Sequence, residues 1–395
     1  MPETVIVDAI RTPIGRFGGG LLEHSAADLA TLMVETLIER NAVPADQVAE
    51  VIFGHVIQGG ANLNVARTAA VRAGLPVSVC GSTINMMCAS GMRAIDMARQ
   101  AVALGSDADA SAGDLFIAGG TESMSNAPFY VRELRWGNKL GAVEMIDAVM
   151  DEGLRCPITG MGMGLTAEEI AARTGITREE MDAWALRSQE RARAAIAAGR
   201  FADEIVPVPR KRDEPLAVDE HPRETSLEAL AGLRPAFKPD GCVTAGNASG
   251  INDGAAALLL ASPERAEAQG WTPRARIIGS AWAGVEPEVM GLGPVPAVQE
   301  LCARTGIALE DFDLIELNEA FAVQALAVMR DLDMDEERVN VNGSGIALGH
   351  PIGATGARIV VTLLHEMEKR GACLGLATLC VGGGMGMAMA IERVA

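Results

Sequence analysis

Short apolar, β-branched runs along this chain alternate with stretches in which apolar residues recur every three or four positions. The first pattern belongs to buried strands and the second to amphipathic helices. The run at 4–7 predicts a strand, and the periodicity over 26–40 predicts a helix. Further apolar runs lie at 51–54, 115–120, 255–261 and 314–317, the second of them ending in glycines. Strands alternating with helices predict an α/β protein with a layered sheet.

The pattern repeats. Ala89-Ser90-Gly91-Met92-Arg93-Ala94-Ile95 matches Ala354-Thr355-Gly356-Ala357-Arg358-Ile359-Val360 at an offset of 265. Leu115 to Gly120 matches Leu379 to Gly384 at 264, and Val51 to Gly54 matches Leu314 to Leu317 at 263. Three ordered matches at nearly one offset predict two similar halves related by a pseudo-twofold. Residues 1–120, completed by about 251–270, form the first half, and 271–395 the second. Between them, 121–250 reads as an insert. It carries a capping-box signature, Thr177 as N-cap with Glu180 three positions on, opening a helix that runs through Trp184, Leu186 and Ile196 to a stop near Gly199. Prolines and charges break the pattern from 207 to 222. The run at 255–261 is expected to return to the first half as a buried strand.

Composition narrows the function classes. At about 150 residues per domain, 395 residues suggest two or three domains. With 49% hydrophobic residues the chain can bury large cores. A net charge of −19, with four Trp, one Tyr and eight Phe, argues against nucleic-acid binding, which needs cation clusters and stacking faces. No apolar run approaches the roughly 20 residues of a membrane span, and Glu3 beside a three-residue apolar run at 5–7 does not read as a secretory signal. The seven cysteines, 80, 88, 156, 242, 302, 373 and 380, are odd in number and are expected to be reduced thiols of a cytoplasmic protein. None pair as CxxC and no His pair has helical spacing, so no metal site is expected.

Three loops carry candidate chemistry. Cys88 lies among small residues at the predicted start of a helix, where free N–H groups and the helix dipole favour a thiolate and can hold an oxyanion. His350 sits in Asn342-Gly343-Ser344-Gly345-Ile346-Ala347-Leu348-Gly349-His350-Pro351-Ile352-Gly353, a glycine-rich loop before a helix, with Pro351 holding His350 extended. Cys380 opens Cys380-Val381-Gly382-Gly383-Gly384, where glycines let backbone approach a ligand. The repeat places the Cys88 and His350 loops at equivalent points of the two halves, so they can converge on one crevice. Asn318-Glu319 breaks an apolar run, and either orients a water or substrate oxygen or caps a helix. His24, His55, His221 and His365 read as surface or satisfied core residues, and Gly18-Gly19-Gly20 as a turn.

These motifs resemble the thiolase signatures: Asn85-x-x-Cys88-x-Ser90-Gly91, Asn318-Glu319-Ala320-Phe321, Gly349-His350-Pro351 and Cys380-x-Gly382-Gly383-Gly384. Thr244-Ala245-Gly246-Asn247-Ala248-Ser249-Gly250 is similar to the thiolase segment beside coenzyme A, and the likeness runs from Val7 to the C-terminus. It is strongest to the biosynthetic type. The resemblance implies a duplicated, layered α/β/α fold with mixed sheets and an inserted loop domain that binds coenzyme A. It implies ping-pong condensation of two acetyl-CoA to acetoacetyl-CoA and the reverse thiolysis. Cys88 would be the acyl-accepting nucleophile, His350 its activating base, and Cys380 the acid/base at the second substrate's methyl. The N–H groups of Cys88 and Gly382 would form one oxyanion site; His350 and a water on Asn318 would form the other. Ser249, Ala245, Phe237, Arg223, Met163, Ala320 and Phe321 would contact acyl-CoA. No metal or redox cofactor is implied, coenzyme A being substrate and product, and a homotetramer or homodimer is expected, with 132–141 resembling the tetramer-forming loop.

Two departures stand out. Gly162 occupies a position where biosynthetic members commonly carry His, which leaves room for longer or branched chains. Ser344 replaces a frequent Gly. The alternatives are a degradative 3-ketoacyl-CoA thiolase of broader chain length and a non-catalytic acyl-CoA-binding scaffold; retention of Cys88, His350 and Cys380 argues against the scaffold. Residues 200–240 hold seven Lys/Arg against nine Asp/Glu, so coenzyme A would rest on a few placed cations such as Arg223.

Overall fold

The computed structural model describes residues 3–61, 63–108 and 113–394. Nine strands form the path of one mixed sheet: β1 (Val5–Arg11), β2 (Glu50–Gly54), β3 (Cys80–Ile84), β4 (Leu115–Ser123), β5 (Asn252–Ala261), β6 (Ala275–Gly284), β7 (Leu314–Leu317), β8 (Leu374–Val381) and β9 (Met385–Arg393). Their spatial order is β7-β8-β9-β6-β1-β5-β4-β2-β3, and a tenth strand, Gly15–Arg16, pairs with β5.

Two four-stranded stretches of this order match, and β3 adds a parallel edge strand beside β2 in the first half. β7 and β8 are parallel, and β8, β9 and β6 follow antiparallel. In the other half β2 and β4 are parallel, and β4, β5 and β1 follow antiparallel. The two four-stranded units meet where β1 and β6 pair over Val5↔Arg276 and Ile6↔Ala275. The repeat in the sequence is therefore a pseudo-twofold, and β5 does return to the first half, between β1 and β4. Hydrogen bonds join what the sequence suggested as separate sheets into one.

Seven helices matter for the site: α1 (Ala26–Arg40), α2 (Ser90–Ala108), α3 (Met163–Thr174), α4 (Arg178–Ala197), α5 (Pro294–Thr305), α6 (Ala322–Asp331) and α7 (Ile352–Arg370). Alternation along the strands sends apolar side chains to both faces. On β5, Ala256, Leu258 and Leu260 join a central core with α2, α7 and inner faces of both halves. Ala255, Ala257 and Leu259 join an outer core with α1. A second outer core gathers α3, α4, α5 and α6. The two halves of the one sheet thus lie on either side of α2 and α7, giving layers α/β/α/β/α, and α7 is buried without a break from Ile352 to Met367. A bulge between Ile6 and Asp8 shifts β1's alternation, which keeps both Ile6 and Ala9 in the central core.

The capping boxes form: Ser25 with Asp28 opens α1, and Thr177 with Glu180 opens α4 as read from sequence. The insert begins slightly later than 121, because β4 continues through Thr121, Glu122 and Ser123 to pair with β5. Its attachment is ionic at one point. Arg11, wholly buried at the end of β1, pairs with Glu204 at 2.6 Å and Asp219 at 2.7 Å. No helix among the described residues is long and apolar enough to cross a membrane.

Candidate active site

Cys88 lies in the turn between β3 and α2, and its neighbours explain the spacing of its motif. The Asn85 side chain accepts from Met87 N–H at 2.9 Å. Ser90 Oγ accepts from Met86 N–H at 2.8 Å and donates to the Met87 carbonyl at 2.6 Å. Those three bonds hold Met87 at φ +47°, a left-handed conformation costly for a residue with a side chain. Gly91 follows because α2 meets α7 there: a Cβ at 91 would fall 2.8 Å from the Ala357 nitrogen.

His350 precedes α7, the repeat partner of α2. Its backbone N–H donates to Asn252 Oδ1 at 3.0 Å. Its Nδ1 lies 2.6 Å from Thr355 Oγ1, and that hydroxyl donates to the Pro351 carbonyl at 2.9 Å. With its one proton engaged, Thr355 accepts from Nδ1–H, which leaves Nε2 as the free base. Burial, and then the charge of Arg358, lower His350 to a pKa of about 3. The imidazole is neutral at physiological pH.

Cys88 departs from expectation. Helix N–H groups were expected to favour its thiolate, yet burial of the thiol pushes its pKa up to about 11. The Gly382 and Cys88 N–H groups, both directed at the sulfur, oppose that shift without overcoming it. Desolvation outweighs two neutral donors in this setting. Cys380, wholly buried at the end of β8, is pushed well above an ordinary thiol by burial first and by Cys88 second. At rest both cysteines are thiols and the imidazole is neutral.

Asn318 follows directly on β7 and does not cap the next helix; α6 starts at Ala322 with Phe321 as N-cap. Its Oδ1 and Nδ2 are both buried with no protein partner. A buried amide in that state needs a water or a ligand atom. Among the described residues no three His, Cys, Asp or Glu side chains converge as a metal-ligand set.

A cavity of about 430 Å³ opens beside His350. His350, Ile352 and Phe321 lie along it, as do Arg223, Phe237, Ala245 and Ser249 from the insert and its return. Met163 lines it, and so does Gly162, where a Cβ would meet only the Leu154 carbonyl at 3.8 Å. Arg223 is held by donating to the Ala245 carbonyl at 2.8 Å, and Phe237 meets Phe321 edge-on with ring centres 6.1 Å apart. Ala320 lies outside the lining; its carbonyl holds the Ser249 N–H at 2.9 Å.

Two histidines read as unremarkable in sequence behave otherwise. His221 lines the cavity, with Nε2 buried and unpaired, and burial with the Arg223 charge lowers it to about 4. His55 Nδ1 lies 2.9 Å from the wholly buried Glu122, and its Nε2 has no partner. Glu122 also accepts from Val56, Ile57 and Gly353 N–H, joining the end of β2 to the start of α7. No local pattern marked either residue: His55 meets Glu122 from the neighbouring strand β4, and His221 is placed by the insert that lines the cavity.

Of the three sequence-predicted groups only His350 lines the cavity; Cys88 packs in the cluster that includes its neighbour Ile352, and Cys380 lies near enough to Cys88 to be raised by it, so two thiols and a neutral imidazole make up a site for acyl transfer through a thioester. A duplicated layered fold that presents this site from equivalent loops defines the class. Residues 4–264 match the family model "Thiolase, N-terminal domain" and 271–393 match "Thiolase, C-terminal domain". The chain belongs to the thiolase family. It is 51% identical to an acetyl-CoA acetyltransferase of Chromobacterium violaceum, over 99% of this chain and 100% of the relative. Its fold is similar to the crystal structure of the Bacillus anthracis acetyl-CoA acetyltransferase, with TM-score 0.96, 48% identity and coverage of 100% and 99%. It is also similar to human mitochondrial 3-ketoacyl-CoA thiolase, with TM-score 0.95, 41% identity and coverage of 100% and 99%.

Proposed function

We propose that this protein is an acetyl-CoA C-acetyltransferase, condensing two acetyl-CoA to acetoacetyl-CoA and coenzyme A and catalysing the reverse thiolysis. The observation that carries the reading is the neutral His350 on the wall of an apolar cavity, with the Cys88 thiol packed in the cluster that includes Ile352 and the Cys380 thiol near enough to Cys88 to be raised by it. His350 Nε2 takes the Cys88 proton as the sulfur attacks the thioester carbonyl. Cys88 and Gly382 N–H groups stabilise the oxyanion. The carbon–sulfur bond to coenzyme A breaks, and His350 returns the proton to the leaving thiolate.

Cys380 gives up its own proton and, as the thiolate, removes a methyl proton from the second acetyl-CoA; the proton given up is returned when the Cys88 thiolate departs at the end of the step. Acylation of Cys88 favours this step, because a thioester cannot ionise and so no Cys88 thiolate can form to oppose the ionisation of Cys380. The carbanion attacks acetyl-Cys88, the carbon–carbon bond forms, and the Cys88 sulfur leaves. Asn318, with a water in its unpaired amide, and His350 serve the second thioester oxygen. Arg223, Phe237, Ala245, Ser249, Met163 and Phe321 contact coenzyme A, which is substrate and product; no metal or redox cofactor takes part.

Incubation with acetoacetyl-CoA and coenzyme A tests this. The enolate absorbance should fall, and Cys88→Ala should abolish the fall; normal turnover by Cys88→Ala would overturn the mechanism.

We also propose a cytoplasmic homotetramer or homodimer. Seven free cysteines support a reducing compartment. Self-association is supported by Trp136 and Leu140, 90% and 92% exposed, and by β3 at the open edge of the sheet. Light scattering of wild type and Trp136→Glu checks it; a monomeric wild type would sink it.

A further inference from the structure

We propose that Glu319 is a positioning residue that locks the Asn318 amide and the His350 loop into one unit and ties that unit to the insert. The inference rests on the acyl-transfer reading for its kinetic arm alone. Glu319 is wholly buried and holds four donors. Oε1 accepts from Trp184 Nε1 at 3.0 Å and Asn340 Nδ2 at 3.0 Å. Oε2 accepts from Ser188 Oγ at 2.6 Å and Ile346 N–H at 3.3 Å. Trp184 and Ser188 stand on α4 of the insert; Asn340 and Ile346 belong to the segment that ends in His350.

The loop sits directly on Asn318. A Cβ at Gly345 would fall 2.8 Å from Asn318 Oδ1 and 2.6 Å from the Glu319 carbonyl. The clamp on Ile346 N–H therefore holds Gly345 against the amide whose own polar atoms have no partner. The same helix also grips the next peptide, through the Ile346 carbonyl. Gln189 donates to the Ile346 carbonyl at 3.3 Å and accepts from Arg223 N–H at 2.9 Å, next to the coenzyme A cavity. Ser188 Oγ also accepts from Ser344 N–H at 3.3 Å. A carboxylate suits this place because all four neighbours donate; an amide would turn one acceptor into a donor facing donors.

The test uses Glu319→Gln and, as a milder deletion of one donor, Trp184→Phe. Hydrogen exchange of 340–350 should rise in Glu319→Gln while β4 and β5 stay protected, whatever the substrate. With acetoacetyl-CoA and coenzyme A, kcat should fall about 10- to 100-fold with KM within about threefold, and Trp184→Phe should lose less. Unchanged exchange over 340–350 in Glu319→Gln, or a raised KM at wild-type kcat, overturns the proposal. Raised exchange over 340–350 in Glu319→Gln, together with a wild type that never consumes acetoacetyl-CoA, sinks the acyl-transfer reading and leaves the clamp supported.

Discussion

Gly91 and Gly356 are seated reciprocally where α2 meets α7: a Cβ at 91 would lie 2.8 Å from the Ala357 nitrogen, and one at 356 would lie 2.6 Å from the Met92 nitrogen. The two glycines are related by the 265-residue offset of the repeat. The pseudo-twofold therefore passes between helix starts that follow Cys88 and His350. Gly356→Ala must push backbones apart at the point that sets the distance between thiol and imidazole. Overpacking of this kind costs about 1–3 kcal/mol, and we expect kcat to fall at least about 10-fold. Denaturant unfolding and steady-state kinetics on the same variant check both. A stable variant with wild-type kcat would show that the contact does not set the site.

The pH profile distinguishes a neutral pair from an ion pair. His350 at about 3 is neutral above that value, and Cys88 at about 11 is protonated below it. The reactive state, thiol plus free base, is therefore dominant throughout the interval between them. We expect kcat/KM for acylation of Cys88 to stay flat from about pH 5 to 9, with no inflection near the ordinary histidine pKa of about 6.5. A clear inflection near that pH would show a titrating imidazole and contradict the burial argument.

The second thiol offers a separate check. Burial and Cys88 both raise Cys380. Cys88→Ser removes one of the two causes and leaves the other. The pH midpoint for iodoacetamide alkylation of Cys380, followed by peptide mass spectrometry, should move down in that variant. An unmoved midpoint would remove Cys88 as a source of the shift.

Much of this architecture was legible in the chain, and what was hidden has a common cause. Offsets of 263 to 265 anticipated the mirrored strand order because each half must build the same local units. Thr177 and Glu180 announced α4 because a cap is a local interaction. The spacing of Asn85, Cys88, Ser90 and Gly91 proved to be a hydrogen-bonded turn followed by a helix contact. The thiol's raised pKa, His221 in the cavity, and the Glu122 and Glu319 clamps were not legible. Each depends on burial among, or donors from, elements that meet only in the folded chain, which no local pattern records. Asn318 lay between: its polar break in an apolar run was visible, but its two unpaired amide atoms were not.

Arg11 shows how the insert is fastened. Its guanidinium, wholly buried, meets Glu204 at 2.6 Å and Asp219 at 2.7 Å. Arg11→Met keeps much of the bulk and leaves two carboxylates in the interior without a cation. Removing one partner of a buried ion pair costs about 3–5 kcal/mol, and we expect a loss of that size in urea unfolding. A loss below about 1 kcal/mol would mean that water reaches the carboxylates and the anchor is not ionic.

Gly162 is the position where space, rather than charge, decides. It caps α3 with φ −70° and ψ 151°, an extended backbone open to any residue. It lines the cavity beside Met163, and a Cβ there would meet only the Leu154 carbonyl at 3.8 Å. Gly162→His should therefore fold normally and place an imidazole in room that is now empty. The cost falls on acyl chains that need that room. Discrimination by a filled apolar pocket amounts to about 1–3 kcal/mol per methylene. We expect kcat/KM for six-carbon and longer 3-ketoacyl-CoA to fall about 10-fold or more relative to acetoacetyl-CoA. Equal losses across a chain-length series would place the imidazole outside the acyl path and locate chain-length selection elsewhere in the cavity.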